Sequence, residues 1–215
     1  MLFRSISNDL VRSMMSPEQF IAYCARVSNP NNQNNHDTSE KLLSYCIKNQ
    51  HWSIFEMVHI VIEINTTRDI ARQILRHRSF SFQEFSQRYA DASQLGFTTR
   101  EARLQDSKNR QNSIEVNDAE LQKTWKMKQD QLIHEAKLTY KWALDNGIAK
   151  EQARSILPEG NTNSRLYMAG SLRSWIHYCQ LRMSKGTQKE HREVAEDCWK
   201  ILCSRFPFLN NQEQL

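Results

Sequence analysis

The spacing of apolar positions changes along the chain, and its clearest period is two. From Met57 to Ile64, Val58, Ile60, Ile62 and Ile64 fall on one face and Met57, His59, Val61 and Glu63 on the other, the alternation of a half-buried strand. The period then lengthens. Asn65, Thr66 and Thr67 offer a cap and Asp69 a first-turn carboxylate, and Ile70, Ala71, Ile74 and Leu75 form an apolar stripe, predicting a helix over 67–78. Its other face carries Arg68, Arg72 and Arg76, with Gln73 one turn before Arg76 and Arg78 just beyond it.

Helical spacing recurs elsewhere. Ser16, Glu18 and Gln19 open a helix with Phe20, Ile21, Cys24 and Val27 inward, ended by Asn29-Pro30. A second covers 38–48 around Leu42, Leu43 and Cys46. A long one runs from the Asn117-Asp118 cap to Leu144, with Leu121, Trp125, Leu132, Ala136 and Ala143 as its stripe, and a short one spans 150–157. The segment 171–183 turns Leu172, Trp175, Ile176 and Cys179 inward, and 187–206 stacks Val194, Cys198, Ile201 and Leu202. Residues 2–8 fit a short strand, and 165–169 fits either a strand or the start of the next helix. The strongly polar, aperiodic tract 100–116 reads as an exposed, partly disordered loop or insertion. Together these predict an α+β protein: a central, mostly antiparallel sheet flanked by helices, in one domain over 1–215 with one core.

Composition narrows the picture. The 215 residues are 39% hydrophobic and 25% charged, as in a soluble globular protein, with no apolar run of membrane-spanning length. The start, MLFRSISNDL, has no basic region followed by an apolar core, so no signal peptide is read. Five scattered cysteines without a CxxC pair or metal-ligand spacing read as reduced residues of a cytoplasmic protein that holds no metal. Glycine is scarce and no GxGxxG follows a strand, which argues against a Rossmann site. The net charge of +5 favours an anionic partner, nucleic acid or a phosphorylated small molecule.

Position decides between those two partners. Arg76 to Tyr89 reads RHRSFSFQEFSQRY, placing Arg76, His77, Arg78, Glu84 and Arg88 among Phe80, Phe82 and Phe85. A solvated helix face rarely sets aromatics among its arginines, because burying the rings draws the charges out of water. The stretch reads as a lined pocket for an anion.

This stretch resembles the signature of the flavin-dependent thymidylate synthases: Arg-His-Arg, seven residues, then Ser, extended as Ser-x-Asn-Glu-x-Ser-x-Arg-Tyr. Arg76, His77, Arg78, Ser81, Glu84, Ser86, Arg88 and Tyr89 match, with Gln83 where Asn is commoner. The likeness continues in His51, Phe55 and Glu56, where Met57 replaces a further histidine, and in Ala153-Arg154-Ser155-Ile156-Leu157-Pro158, Ser171-Leu172-Arg173, Leu181-Arg182, Gln188 and Glu190, with Ser171 in place of the usual Asn. It spans about 51–190, leaving 100–130 unmatched.

The resemblance implies reductive methylation of dUMP to dTMP, with FAD as cofactor and methylenetetrahydrofolate and NADPH as co-substrates, in a homotetramer whose sites draw on several chains. It implies that Gln73, Arg76, Arg88 and Arg154 hold dUMP with the turn Glu84, Phe85, Ser86 and Gln87. It also implies that His51, Ser53, Arg76, His77, Arg78, Glu84, Ser171, Leu172, Arg173 and His177 contact FAD, and that Arg182 sits at the uracil ring as the catalytic residue. A permanently protonated guanidinium suits that role, since attack by C5 needs charge stabilised at N3 or O2. No cysteine lies in the signature to add to the ring. Arg173 and Arg182, nine residues apart on one helix, point in roughly opposite directions and so meet different ligands or different subunits. His36, His59, His134 and His191 read as structural or solvated, and the Arg68/Arg72 column is left unassigned. Two other readings stand: a sister flavin and folate enzyme acting on another pyrimidine nucleotide, and a basic, non-catalytic nucleic-acid-binding protein.

Overall fold

The alternating segment forms the first strand of the sheet, β1 (His59–Thr67), with Ile60, Ile62 and Ile64 buried and His59, Val61, Glu63 and Asn65 exposed. The computed structural model describes residues 15–210, so the strand expected over 2–8 lies outside the described residues. The helix before it, α1 (Pro17–Ala25), starts at a capping box in which Ser16 and Gln19 bond each other's backbone N–H. It buries Ile21 and Ala22, while Val27 lies past its end and is exposed. Helix α2 (Ser39–Lys48) follows, and a 3-10 stretch at Trp52–Met57 leads into β1.

Helix α3 (Arg68–Ile74) is shorter than the apolar stripe predicts. The chain leaves it in a turn, so Arg76, His77 and Arg78 sit between α3 and β2 (Ser81–Glu84) and not on a helix. The reason is tertiary: Phe80 must reach the core, where its ring meets Trp175 edge-on with centroids 4.9 Å apart. That tight packing needs Gly170, because a Cβ there would lie 2.5 Å from the Phe80 ring. Gly170→Ala is expected to destabilise the fold by about 1–3 kcal/mol, since the enclosed ring has nowhere to retreat. Urea unfolding would measure it, and a midpoint equal to that of the parent would refute the tight contact.

The ambiguous segment resolves as β5 (Asn163–Ser171). It lies at the centre of a three-stranded, fully antiparallel sheet of order β1-β5-β2, with Ile62 opposite Met168 and Glu84 opposite Leu166. Along β1 and β5 buried and exposed positions alternate, so one face packs on the core and the other is open. On the open face Val61 and Tyr167 are exposed, and Glu63 pairs with Arg165 at 3.4 Å. Two helices close the covered face. Helix α6 (Leu172–Arg182) buries Leu172, Trp175, Ile176 and Cys179 as expected, and Trp175 donates its indole N–H to the Ile60 carbonyl at 3.1 Å. Helix α7 (Lys189–Arg205) buries His191, Ala195, Cys198 and Leu202 but exposes Ile201.

The tract 100–116 is not a loop. It folds into a hairpin of β3 (Arg103–Gln105) and β4 (Ser113–Glu115), whose turn is tied by the Asp106 carboxylate to the backbone of Lys108 and Asn109 and to Asn112. Charges far away in sequence hold it down: Arg100 grips Asp69 at 2.7 and 2.8 Å, Arg103 pairs with Glu190, and Lys189 reaches Glu115 at 2.7 Å.

The long helix α4 (Ala119–Asp145) also departs from its apolar stripe. Leu121, Trp125 and Leu132 are exposed, and the inner face is Gln129, Ile133, Ala136, Tyr140 and Ala143. Two glutamines replace the expected apolar contacts. Gln122 and Gln129 each accept from and donate to the backbone of residues 102 and 100 at 2.8–2.9 Å, as a neighbouring strand would. Helix α5 (Lys150–Ala153) and a 3-10 turn through Ile156 follow, and Tyr140, Ala143, Ala92 and Ala153 form a small second cluster beside the main core.

Candidate active site

The end of α3 and the end of α6 meet at His77. Arg182 donates through Nε to His77 Nε2 at 2.8 Å, and the imidazole lies edge-on to Tyr178 with centroids 4.9 Å apart. Burial, Arg182 and Arg76 together lower the His77 pKa to about 4, so the ring is neutral and can accept this bond. Arg76 and Arg78 flank it, both exposed, and neither has an ion-pair partner among the described residues. An uncompensated pair of guanidiniums beside a half-buried ring is what an anionic ligand bearing an aromatic group requires.

Behind His77 lies a polar chain that is buried at its His191 end. Gln73 bonds Gln188 at 2.8 Å and His191 at 3.2 Å, and His191, fully enclosed, reaches the Tyr178 hydroxyl at 3.1 Å. Burial, then Arg182 and His77, lower the His191 pKa to about 4 as well. The two shifts fix a pH dependence. Below the ordinary value near 6.5 the unfolded chain binds protons at these histidines that the folded chain refuses until about pH 4. Stability is therefore expected to fall as pH drops from about 6.5 to 5, with about two protons taken up on unfolding at the lower end. Melting temperature against pH would show it, and a flat profile over that window would contradict it.

The signature glutamate is held by residues that the sequence did not single out for it. Glu84 Oε1 accepts from the Ser164 hydroxyl at 2.7 Å and lies 3.4 Å from Arg68. Arg68 had no assigned role; its spacing was visible, but its partner lies sixteen residues on in the next strand. Arg72 of the same column pairs with Glu159 at 2.9 Å on the surface.

The other expected site residues fall into two further groups. Phe85 donates its backbone N–H to Arg165, Ser86 opens an exposed turn and Gln87 is buried. Arg88 extends from that turn to Glu151 at 3.1 Å, and Lys150 donates to the Tyr89 carbonyl, which brings the signature's end beside the helix leading to half-buried Arg154. At the start of α6, Arg173 pairs with Glu56 at 3.1 Å, His177 lies against Trp52 with centroids 4.5 Å apart, and His51 and Ser53 are exposed nearby in the chain. Among the described residues no hydrogen bond or ion pair links Arg88 or Arg154 to Arg76 or Arg182.

Two of the residues expected at the cofactor have their side chains engaged within the fold. The Leu172 side chain is fully enclosed and its N–H goes to the Val58 carbonyl at 2.8 Å, so it is a core residue. Ser171 is buried and caps α6 by accepting from Ser174 N–H at 3.2 Å, which engages its hydroxyl. A cleft of about 710 Å³ between Asn65–Thr67, Thr98–Glu101 and Lys189–Asp197 contains none of the expected residues. Its cations face Glu101, Glu190, Glu193 and Asp197, so it lacks the unbalanced positive charge found around His77. Among the described residues no group of histidines, cysteines and carboxylates could hold a metal, and no helix is long and apolar enough to cross a membrane.

The antiparallel sheet and its helices set Arg76 and Arg78, which have no ion-pair partner among the described residues, beside a neutral histidine at the ends of two helices. Comparison with known proteins gives the family: residues 9–208 match the thymidylate synthase complementing protein model, and the chain belongs to that family. It is 55% identical over 193 residues to a flavin-dependent thymidylate synthase of Synechocystis sp., covering 90% of this chain and 87% of the relative. It is 48% identical over 203 residues to a probable flavin-dependent thymidylate synthase of Paramecium bursaria Chlorella virus 1, covering 94% and 93%. A crystal structure of the UMP/dUMP methylase PolB from Streptomyces cacaoi bound with 5-Br dUMP superposes with a TM-score of 0.75 at 25% identity, over 90% of this chain and 88% of that one.

Proposed function

We propose that the protein is an FAD-dependent thymidylate synthase, converting dUMP to dTMP with methylenetetrahydrofolate as carbon donor and NADPH as reductant. The observation that carries this is Arg182 seated on neutral His77 beside unpaired Arg76 and Arg78. It stands in a chain about half identical, over nine-tenths of its length, to proteins named for that activity.

The donor set fits a flavin. Arg78 and Arg173 are exposed cations suited to its pyrophosphate, and His51 and the Trp52–His177 pair offer aromatic surface for its ring. When bound and reduced by NADPH, the flavin would supply the hydride that completes the new methyl group. The chain's own residues bind and polarise. Arg76, Arg88 and Arg154 hold the phosphate, and Gln73 and the turn Glu84 to Gln87 hold the nucleoside. Arg182, braced by His77, stabilises charge at N3 or O2 as C5 bonds to the folate's methylene carbon, the carbon–nitrogen bond to the folate breaks and the C5 hydrogen leaves as a proton.

The site is assembled in a homotetramer. The open face of the sheet and the outer stripe of α4, with Met127, Leu138 and Trp142 exposed, support association, and the different partners of Arg173 and Arg182 on α6, Glu56 and His77, support sites shared between chains. Five free cysteines support a reducing cytoplasmic setting. The purified protein is expected to be yellow and to form dTMP with the three co-substrates; a colourless protein that takes up no FAD, binding oligonucleotides in a salt-sensitive way, would favour the nucleic-acid reading instead. The resemblance to a UMP/dUMP methylase favours a second reading, in which the uridine nucleotide is also methylated. Competition between UMP and dUMP separates the two.

A further inference from the structure

We propose that Glu190, acting through Gln188 on one side, and His191 on the other fix the Gln73 carboxamide in a single orientation toward the nucleotide, making Gln188 and His191 positioning residues for substrate binding. The inference rests on the nucleotide reading above and adds residues to that site.

The direction of the hydrogen-bond chain follows from its end. Glu190 is paired with Arg103, and a carboxylate in an ion pair can only accept. Gln188 lies 2.9 Å from Glu190 Oε2 and must turn its amide nitrogen there, which points its carbonyl oxygen at Gln73. That oxygen, 2.8 Å away, needs a donor, so Gln73 presents its amide nitrogen to Gln188. Gln73 Oε1 is then turned toward His191 Nδ1 at 3.2 Å, and an acceptor there requires the proton on Nδ1. His191 Nε2, left bare, accepts from the Tyr178 hydroxyl at 3.1 Å. Reversing any one residue would set two acceptors or two donors face to face, and at the His191–Tyr178 end, which is buried, water cannot relieve them. Burial keeps both His191 and Tyr178 neutral, as this pattern demands.

Gln73 is half-buried, and this bonding leaves one amide hydrogen and one oxygen lone pair uncommitted. Their sense is set from behind, so a nucleotide meets a donor and an acceptor in a fixed arrangement.

The test uses the FAD-loaded protein. His191→Asn places an amide N–H where Nδ1–H was, and His191→Gln keeps a polar group toward Tyr178 but loses the donor to Gln73. His191→Gln and Glu190→Gln are expected to weaken dUMP binding and raise KM by about tenfold, the worth of one hydrogen bond, with kcat and flavin content little changed. His191→Asn is expected to restore most of the affinity. Equal affinity for the two His191 variants, or losses that track melting temperature alone, would overturn the proposal. Nitrogen NMR shifts of His191 in the unliganded protein give a second readout: Nδ1–H is expected, and Nε2–H would overturn the assignment even if dUMP binds. Wild-type protein with the expected tautomer but no affinity for dUMP would instead overturn the nucleotide reading, and the role of Gln73 with it.

Discussion

Arg182→Ala is expected to lower turnover by about a thousandfold or more while FAD stays bound. Arg182 lies at the end of α6, half-buried, with its Nε on His77 and its remaining guanidinium N–H groups in no hydrogen bond among the described residues. A charge held in this way costs no reorganisation when the pyrimidine ring becomes electron-rich, which is why removing it should affect kcat more than KM. The residues that fit the cofactor, Arg173, His177 and His51, lie at the other end of that helix or before β1, so the visible spectrum should persist. Arg182→Lys is expected to recover little, because an ammonium cannot donate to His77 and also span two ring atoms. Steady-state kcat alongside flavin absorbance makes the measurement, and turnover within tenfold of the parent would remove Arg182 from its role.

The second large effect is a gain. Arg182→Ala and Arg154→Ala are each expected to be inactive alone, yet co-expressed chains should recover about a quarter of wild-type activity, the share of sites receiving both intact arginines by random assortment. Within one chain Arg88 is paired with Glu151, whereas Arg182 is bonded to His77. In the proposed shared site one chain supplies Arg154 and another Arg182 to the same nucleotide. Mixed oligomers without recovered activity would mean that each site is built from a single chain.

Much of this was legible along the chain, and the reasons differ by element. β1 was readable because its Ile positions face one core and nothing competes with the alternation. The stripe of α6 was readable because its residues pack on the sheet directly above them. The hairpin at 103–115 was not, because its strands are short, have no buried face, and are pinned by Asp69, Lys189 and Glu190 from elsewhere in the sequence. The stripe of α4 was misread for a related reason. Its inner face docks on exposed backbone, which calls for glutamine carboxamides, and its apolar residues are left outside.

The candidate site divides in the same way. The residue types from Arg76 to Arg88, and the family to which they point, follow from side-chain chemistry at short spacing, and a linear sequence records that completely. The neutrality of His77, the bracing of Arg182, the Ser164 and Arg68 contacts on Glu84 and the polar chain behind Gln73 join residues up to 118 positions apart. Burial and hydrogen-bond direction arise only when the helix ends close against each other, and so the folded arrangement alone decided them.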